Sequence, residues 1–383
     1  MHVADGNIPS DYLAYVRGKI LWIVFGIILL FFLLILSISV GAVSIPPYEV
    51  LMTLLGKNVN HKWDAIIWNI RLPQALTAIV AGVGLSVAGV VMQSILRNPL
   101  GSPFTLGISN AGAFGAAVSV ILLGTGKIQS TIANPITINN PYVTTISAFI
   151  FCMIATAIIL MISRIRGASP EVMVLTGVAL SSLFTAGTMF LQFFASDTQL
   201  AAVVFWTFGD VSRASWSELG LMTVLVIISC IYFLFNRWNY NAIDAGNETA
   251  KGLGVNVERV RLFGMTISAM ITAVLVAFLG VIGFVGLVCP HMVRRIIGDD
   301  QRYLIPGSCV MGGVLLLASD TVARLIVAPY VLPVAVLTAF MGAPRDAVVN
   351  VIEASVLQYV HLGSVTNAKV SSVSRPFFTL RVS

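Results

Sequence analysis

The sequence is poor in charge. Of its 383 residues, 10% are Asp, Glu, Lys or Arg, against about 25% in ordinary globular domains. The hydrophobic fraction is 57% and the mean hydropathy +0.94. A soluble fold so short of charge would leave large apolar patches on its surface and aggregate. Disorder is excluded by the same composition, because disordered chains are charged and weakly hydrophobic. Histidine and cysteine are also scarce, at four each. His2, His61, His291 and His361 are too scattered for the H-E-x-x-H pattern of a metalloprotease. Cys152, Cys230, Cys289 and Cys309 form no C-x-x-C pair and lie in or beside apolar stretches, which makes them packing residues rather than zinc ligands or a disulfide framework. No metal site is expected.

Other chemistry is missing too. No pair of intramembrane aspartates marks an aspartyl protease. Gly124-Thr125-Gly126-Lys127 lacks both the first glycine of a phosphate loop and the Ser or Thr after its lysine. The chain is therefore not expected to bind ATP. The net charge of +6 comes with no basic run interleaved with aromatics outside the hydrophobic segments, so nucleic acid is not a partner.

What is abundant is apolar sequence in long runs. A helix needs about 20 apolar residues to cross a bilayer, and such runs fall at 20–40, 73–96, 105–124, 142–162, 172–195, 215–235, 260–280, 284–297, 305–327 and from 331 onward. The expected fold is therefore all-α and polytopic, with about ten transmembrane helices in a compact bundle, the eighth short. The first run follows Arg17 and Lys19 as a signal peptide would. It is too long for one and no small-x-small cleavage site comes after it, so it reads as an uncleaved span. Sixteen of the 22 basic residues collect on one side of this topology. Lys57, Lys62, Arg71, Lys127, Arg213 and Arg324 remain on the other. The positive-inside rule then places the N-terminus in the cytoplasm of a cell-membrane protein. Gly82, Gly84, Ser86, Ala88 and Gly89 in the second run, with Gly107, Ser109, Gly112 and Gly115 in the third, are small residues of the kind that let helices approach closely or line a path. Asp320 is an acid well inside an apolar run, and Arg324 follows at i+4. The two form either an internal ion pair or a functional site.

Several motifs occur in order: Ile70-Arg71-Leu72-Pro73; Leu96-Arg97-Asn98-Pro99-Leu100-Gly101-Ser102-Pro103; Leu106-Gly107-Ile108-Ser109-Asn110-Ala111-Gly112; Leu175-Thr176-Gly177-Val178-Ala179-Leu180; Phe205-Trp206-Thr207-Phe208-Gly209; Gly246 to Val255; Ile282 to His291; Ala318 to Arg324; and Met341-Gly342-Ala343-Pro344. Together they resemble the permease subunits of type II ABC importers, which take up iron chelates, haem and cobalamin. The resemblance covers roughly residues 20–344. Cys289-Pro290-His291, which in isolation invites a metal-ligand reading, falls inside it. Two departures stand out. Gln74 replaces an arginine that the family often carries. After Pro344, Arg345 and Asp346 stand where the family continues with an apolar run. Residues 345–383 thus read either as the end of the last helix or as a divergent cytoplasmic tail, after a cytoplasmic segment at 1–19 and a permease domain at 20–344.

The resemblance implies the rest. Two copies of the chain enclose a path, two ATPase subunits carry ATP and Mg²⁺ below, and a substrate-binding protein docks above. This chain is then not an enzyme and holds no cofactor. Its surroundings are membrane lipid. In the cytoplasmic loop 244–256, Asp244, Gly246, Glu248, Thr249, Ala250, Gly252, Leu253 and Gly254 are expected to form the ATPase-coupling element, a short helix stopped by glycine. Asn98, Pro99 and Leu100 are expected at a cytoplasmic gate, with Asn98 capping the segment after it. Arg71 and Arg324 match positions that receive a binding protein's carboxylates, and Arg213 joins them on position alone. An iron-siderophore chelate is the leading cargo, with cobalamin, haem or an oxyanion behind it. Movement by alternating access is implied. The rival readings are an ion-coupled secondary transporter and a membrane enzyme, and the latter lacks a polar catalytic cluster.

Overall fold

The computed structural model describes residues 10–41, 43–57, 61–125, 141–165, 169–326 and 331–342. The chain divides into two units, 1–339 and 340–383. The second lies outside the described residues except for 340–342, and the expectation about a tail at 345–383 falls there.

Among the described residues of the first unit, the regular structure is entirely helical. Its helices are α1 (Ser10–Ser39), α2 (Pro47–Leu54), α3 (His61–Ile66), α4 (Leu72–Leu96), α5 (Ile108–Ala117), α6 (Pro141–Ile165), α7 (Pro170–Phe193), α8 (Asp197–Thr207), α9 (Trp216–Phe235), α10 (Arg237–Asp244), α11 (Asn247–Gly252), α12 (Val257–Leu279), α13 (Val285–Ile297) and α14 (Gln301–Ile326). A π-helical turn joins α3 to α4 at Ile67–Arg71 and another extends α5 over Val118–Leu122. A further helix begins at 334 and is described to 342. Backbone N–H and C=O groups in lipid must all be paired, which helices and closed barrels both achieve; apolar runs of about 20 residues are the length of a spanning helix rather than of a barrel strand.

Among the described residues, seven helical stretches are long and apolar enough to cross a membrane. The nine expected runs from 20–40 to 305–327 coincide in sequence with the helices α1, α4, α5 with its π turn, α6, α7, α9, α12, α13 and α14. Two of them, α5 and α13, are short. The bundle is built around α4. In the stretch 62–96, 78% of the apolar window is buried, against 17% for α1. Exposed apolar side chains then fall where lipid belongs, such as Phe25, Ile28 and Phe32 on α1, Ile146 and Ile150 on α6, and Val224 and Ile228 on α9. Tryptophan and tyrosine gather toward the helix ends, as at a membrane interface. Trp68 and Trp216 pair with ring centres 6.4 Å apart, and the Trp216 indole donates to the Trp68 carbonyl.

The small residues of α4 are what let it stand at the centre. A Cβ on Gly82 would lie 2.1 Å from the Gly312 carbonyl oxygen of α14, and one on Gly89 would lie 1.7 Å from that of Gly286 on α13. Backbones therefore touch at both crossings, which only glycine permits. Ser86 adds a hydroxyl donation to the Ser308 carbonyl at 2.7 Å. Close packing accounts for these residues, and none of them lines an open path.

Candidate functional site

At one end of the bundle, α9 is followed at once by two short helices that project as a knob before the chain re-enters as α12. Asn256 caps α12 by accepting from the Arg259 N–H at 3.0 Å. The core of the knob is apolar: Ala242, Ile243, Ala250 and Val257 are buried together. Ala250 is fully enclosed and so belongs to the inside of the knob. Its outer face carries Glu248, Thr249, Lys251 and Leu253. Leu253 is 69% exposed. Glu248 and Lys251 pair at 3.0 Å on the surface. Gly252 is the last residue of α11 and Leu253 follows it as the cap. The positive-φ turn lies at Gly254, with φ +82°, and a second one, Gly246 at +121°, opens α11.

Polar contacts fasten the knob to three long helices. Asp244 accepts from the Ser94 hydroxyl of α4 and from the Gln301 amide of α14, each at 2.8 Å. Arg261 of α12 is buried, donates from Nε to the Ile95 carbonyl at 2.8 Å and from Nη2 to Asn247 Oδ1 at 3.1 Å. Asn241 donates to Asp300 and accepts from the Gln301 N–H. Burial alone would raise the Asp300 carboxyl, but hydrogen bonds from the Arg302 side chain and backbone outweigh it and bring it down to about 2. The knob is thus tied to the last turn of α4.

That same turn leads into 98–100. Arg97 ends α4 in the left-handed region, at φ 47°. This conformation is uncommon for a residue other than glycine. Asn98 Oδ1 accepts from the Leu100 N–H at 2.9 Å, a side-chain turn rather than a helix cap. Arg97, Asn98 and Pro99 face Pro170, Glu171 and Val174 of α7 across a cavity of about 460 Å³. Arg294 of α13 donates to Gln93 Oε1 at 2.9 Å and pairs with Asp299 at 2.7 Å. Phe284, which opens α13, is the other non-glycine residue at positive φ among the described residues, at φ 65°. Its ring lies 5.8 Å from that of Phe104.

The opposite end corrects the expectation of outward arginines at two of the three positions, Arg71 and Arg324. Arg71 is 7% exposed. Its guanidinium turns inward and donates to the carbonyls of Ile38 at 2.6 Å, of Ser39 at 3.2 Å and of Val43. Carbonyls at a helix C-terminus lack intrahelical partners, and here a buried cation supplies donors to them, with the Ser39 carbonyl also accepting from the Ile45 N–H at 2.9 Å. Arg324 pairs with Asp320 at 3.1 Å and donates to the Ser37 hydroxyl at 2.6 Å. The Asp320 and Arg324 side chains are 4% and 10% exposed. Gln74, the departure from the expected arginine, donates to Asp320 Oδ1 at 3.0 Å. The pair is therefore an internal bridge joining α14, α4 and α1. Arg213 donates to the carbonyls of Phe205, Trp206 and Phe208. Neither Arg71 nor Arg324 presents a free guanidinium at the surface.

Sequence reasoning missed Ser94, Arg261, Gln93 and Gln301. Each is a polar residue at the end of an apolar run, but its partner lies in another helix, often more than 100 residues away. No spacing rule could have found them. Among the described residues, no group of three His, Cys, Asp or Glu side chains is placed to hold a metal.

Residues 29–345 match the model of the FecCD transport family. The chain is 53% identical over 341 residues to a putative ABC transporter permease protein of Methanocaldococcus jannaschii, covering 88% of this chain and 96% of that protein. It is 36% identical to a hemin transport system permease protein of Yersinia pestis, over 84% of this chain and 92% of the other. A Bacillus subtilis Fe(3+)-citrate import system permease protein is 34% identical, over 83% and 90%. A solved putative metal-chelate type ABC transporter in an inward-facing conformation superposes with a TM-score of 0.73 at 28% identity, covering 85% of this chain and 97% of that one.

Proposed function

The chain belongs to the FecCD transport family, and from that premise we propose that it is the permease subunit of an ATP-driven importer for a metal chelate. An iron-siderophore complex is the leading cargo. The relatives named for hemin and Fe(3+)-citrate support that class, with cobalamin and oxyanions behind. Two copies enclose the path: the middle of one chain is filled by α4, which leaves the space between copies. Two ATPase subunits, which carry ATP and Mg²⁺, seat on the α10–α11 knobs, and the binding protein docks at the opposite end. The N-terminus and the knob lie in the cytoplasm. The chain spans the cell membrane from residue 20 to 344.

One observation carries the mechanism. The knob and the turn at 98–100 hang on the same last turn of α4, through Ser94 to Asp244 and through the Ile95 carbonyl to Arg261 and Asn247. A push on the knob is delivered to the inner mouth without an intervening flexible segment. ATPase closure then moves α4 and the turn Asn98-Pro99-Leu100, which acts as the gate facing α7 and alternates access. Coupling of this kind is reciprocal in binding free energy, so docking at the far end also shifts ATPase seating.

Leu253→Asp tests this reading, since the side chain projects from the knob and carries none of its packing. In the purified complex it should reduce both ATPase retention and ATP-driven uptake while the spans insert normally. Full retention with normal uptake would overturn the assignment. Uptake driven by an ion gradient in vesicles without ATP would establish the secondary-transporter reading in its place.

A further inference from the structure

Helices α6 and α9 both pack on α12 and part along their length, leaving a groove that opens sideways. Its walls are apolar: Ile146 and Phe149 from α6, Leu221 and Val224 from α9, and Val274 and Phe278 from α12. The cavity is about 620 Å³, within the range of ligand sites. It shares Thr145, Ala277 and Phe278 with an adjoining cavity of about 440 Å³. That mouth is different in character. It holds Arg213 and Glu218 beside Tyr142 and Trp206. An apolar slot that ends in one cation, one anion and interface aromatics has the polarity of a membrane lipid.

The depth agrees. From Glu218 to Leu225 along α9 the groove descends about 10 Å at helical rise, most of the roughly 15 Å of hydrocarbon in one leaflet. The polar groups have capacity left. Arg213 uses three of its N–H groups on the carbonyls of Phe205, Trp206 and Phe208. A guanidinium has five, so two remain without a partner among the described residues. Glu218 uses Oε2 for the backbone N–H and hydroxyl of Ser215, and a carboxylate offers about four acceptor sites. One cation and one anion at the mouth complement a headgroup that carries both charges.

We propose that this groove is a binding site for one zwitterionic phospholipid of the surrounding bilayer, with its phosphate at Arg213, its amine at Glu218 and a tail lying on α12 between α6 and α9. The site is separate from the knob and the gate turn, and it does not depend on the cargo. A lipid held there wedges α6 from α9 and fixes the outer half of α12.

Gly220 lies on the groove wall, and a Cβ there would meet nothing within 4 Å. Gly220→Leu therefore fills the slot without disturbing the packing of the helices. The test is native mass spectrometry on the purified, delipidated protein after adding back phosphatidylethanolamine or diacylglycerol. Wild type should retain one phosphatidylethanolamine, and Gly220→Leu should retain it at least tenfold less while keeping its helical content. Diacylglycerol, with tails but no phosphate or amine, should be retained at least tenfold less by wild type. Equal retention of phosphatidylethanolamine by both proteins, no retention by wild type, or equal retention of the two lipids would each overturn the proposal. Should Gly220→Leu not fold, Val224→Trp fills the slot from an exposed position and is read the same way.

Discussion

Replacing Arg324 by Met separates an internal bridge from a docking cation. The Arg324 guanidinium sits 3.1 Å from Asp320, with both side chains almost wholly enclosed. Removing one member of a buried pair strands the other charge, at about 3–5 kcal/mol. Asp320 keeps the 3.0 Å donation from Gln74, which places the loss at the lower end, about 3 kcal/mol. The Ser37 hydroxyl also loses its donor. Adding Asp320→Asn removes the stranded charge, and the Asn oxygen still accepts from Gln74. The double variant should therefore recover most of the loss, with a coupling of roughly 2 kcal/mol between the two sites. The assay is unfolding of the purified protein in mixed micelles by titrated dodecyl sulfate, followed by tryptophan fluorescence, on wild type, both single variants and the double. A wild-type unfolding midpoint for Arg324→Met, accompanied by loss of binding-protein docking, would refute the bridge and restore the docking role.

Four further variants test contacts elsewhere in the bundle. Gly82→Ala should destabilise by about 2 kcal/mol or more, at the upper end of overpacking costs, because its Cβ meets backbone at 2.1 Å. Gly220→Ala, in open space, should gain up to about 1 kcal/mol of helix propensity; equal unfolding midpoints for the two would contradict the α4–α14 contact. Gly254→Val puts a β-branched residue at φ +82° and should cost about 1–2 kcal/mol locally, read as faster amide exchange in α11 and weaker ATPase retention. Asp300 has a carboxyl held at about 2 in the fold, below its ordinary value near 3.9. Its stabilising contribution is present above about pH 4 and is lost as the pH falls toward 2. Asp300→Asn should flatten that part of the thermal midpoint against pH, and an unchanged profile would refute the pairing with Arg302.

Composition and run length were enough to determine the class of this protein. Ten per cent charge and repeated runs of about 20 apolar residues leave helices in a bilayer as the only way to satisfy the backbone. The positions of the seven long apolar helices and of a short helix at 247–252 were legible for the same local reason: hydropathy, glycine and proline act over one turn or one span. The sequence also raised the Asp320–Arg324 pair, because i,i+4 neighbours on a helix meet whatever the fold. What it left open was direction. Arg71, Arg213 and Arg324 read as outward cations because the topology put them outside the cytoplasmic loops and the resemblance matched Arg71 and Arg324 to docking positions. Only the packed bundle brought the α1 carbonyls to Arg71 and Gln74 to Asp320, making two of those arginines internal. Ala250 read as part of a contact surface, and tertiary packing enclosed it in the knob. The link from knob to gate depends on Ser94, Asp244, Arg261 and Gln301, which come from four different helices. Such contacts carry no periodic signal, because what fixes them is the approach of backbones at Gly82, Gly89, Gly286 and Gly312, a property of the assembled bundle rather than of any segment.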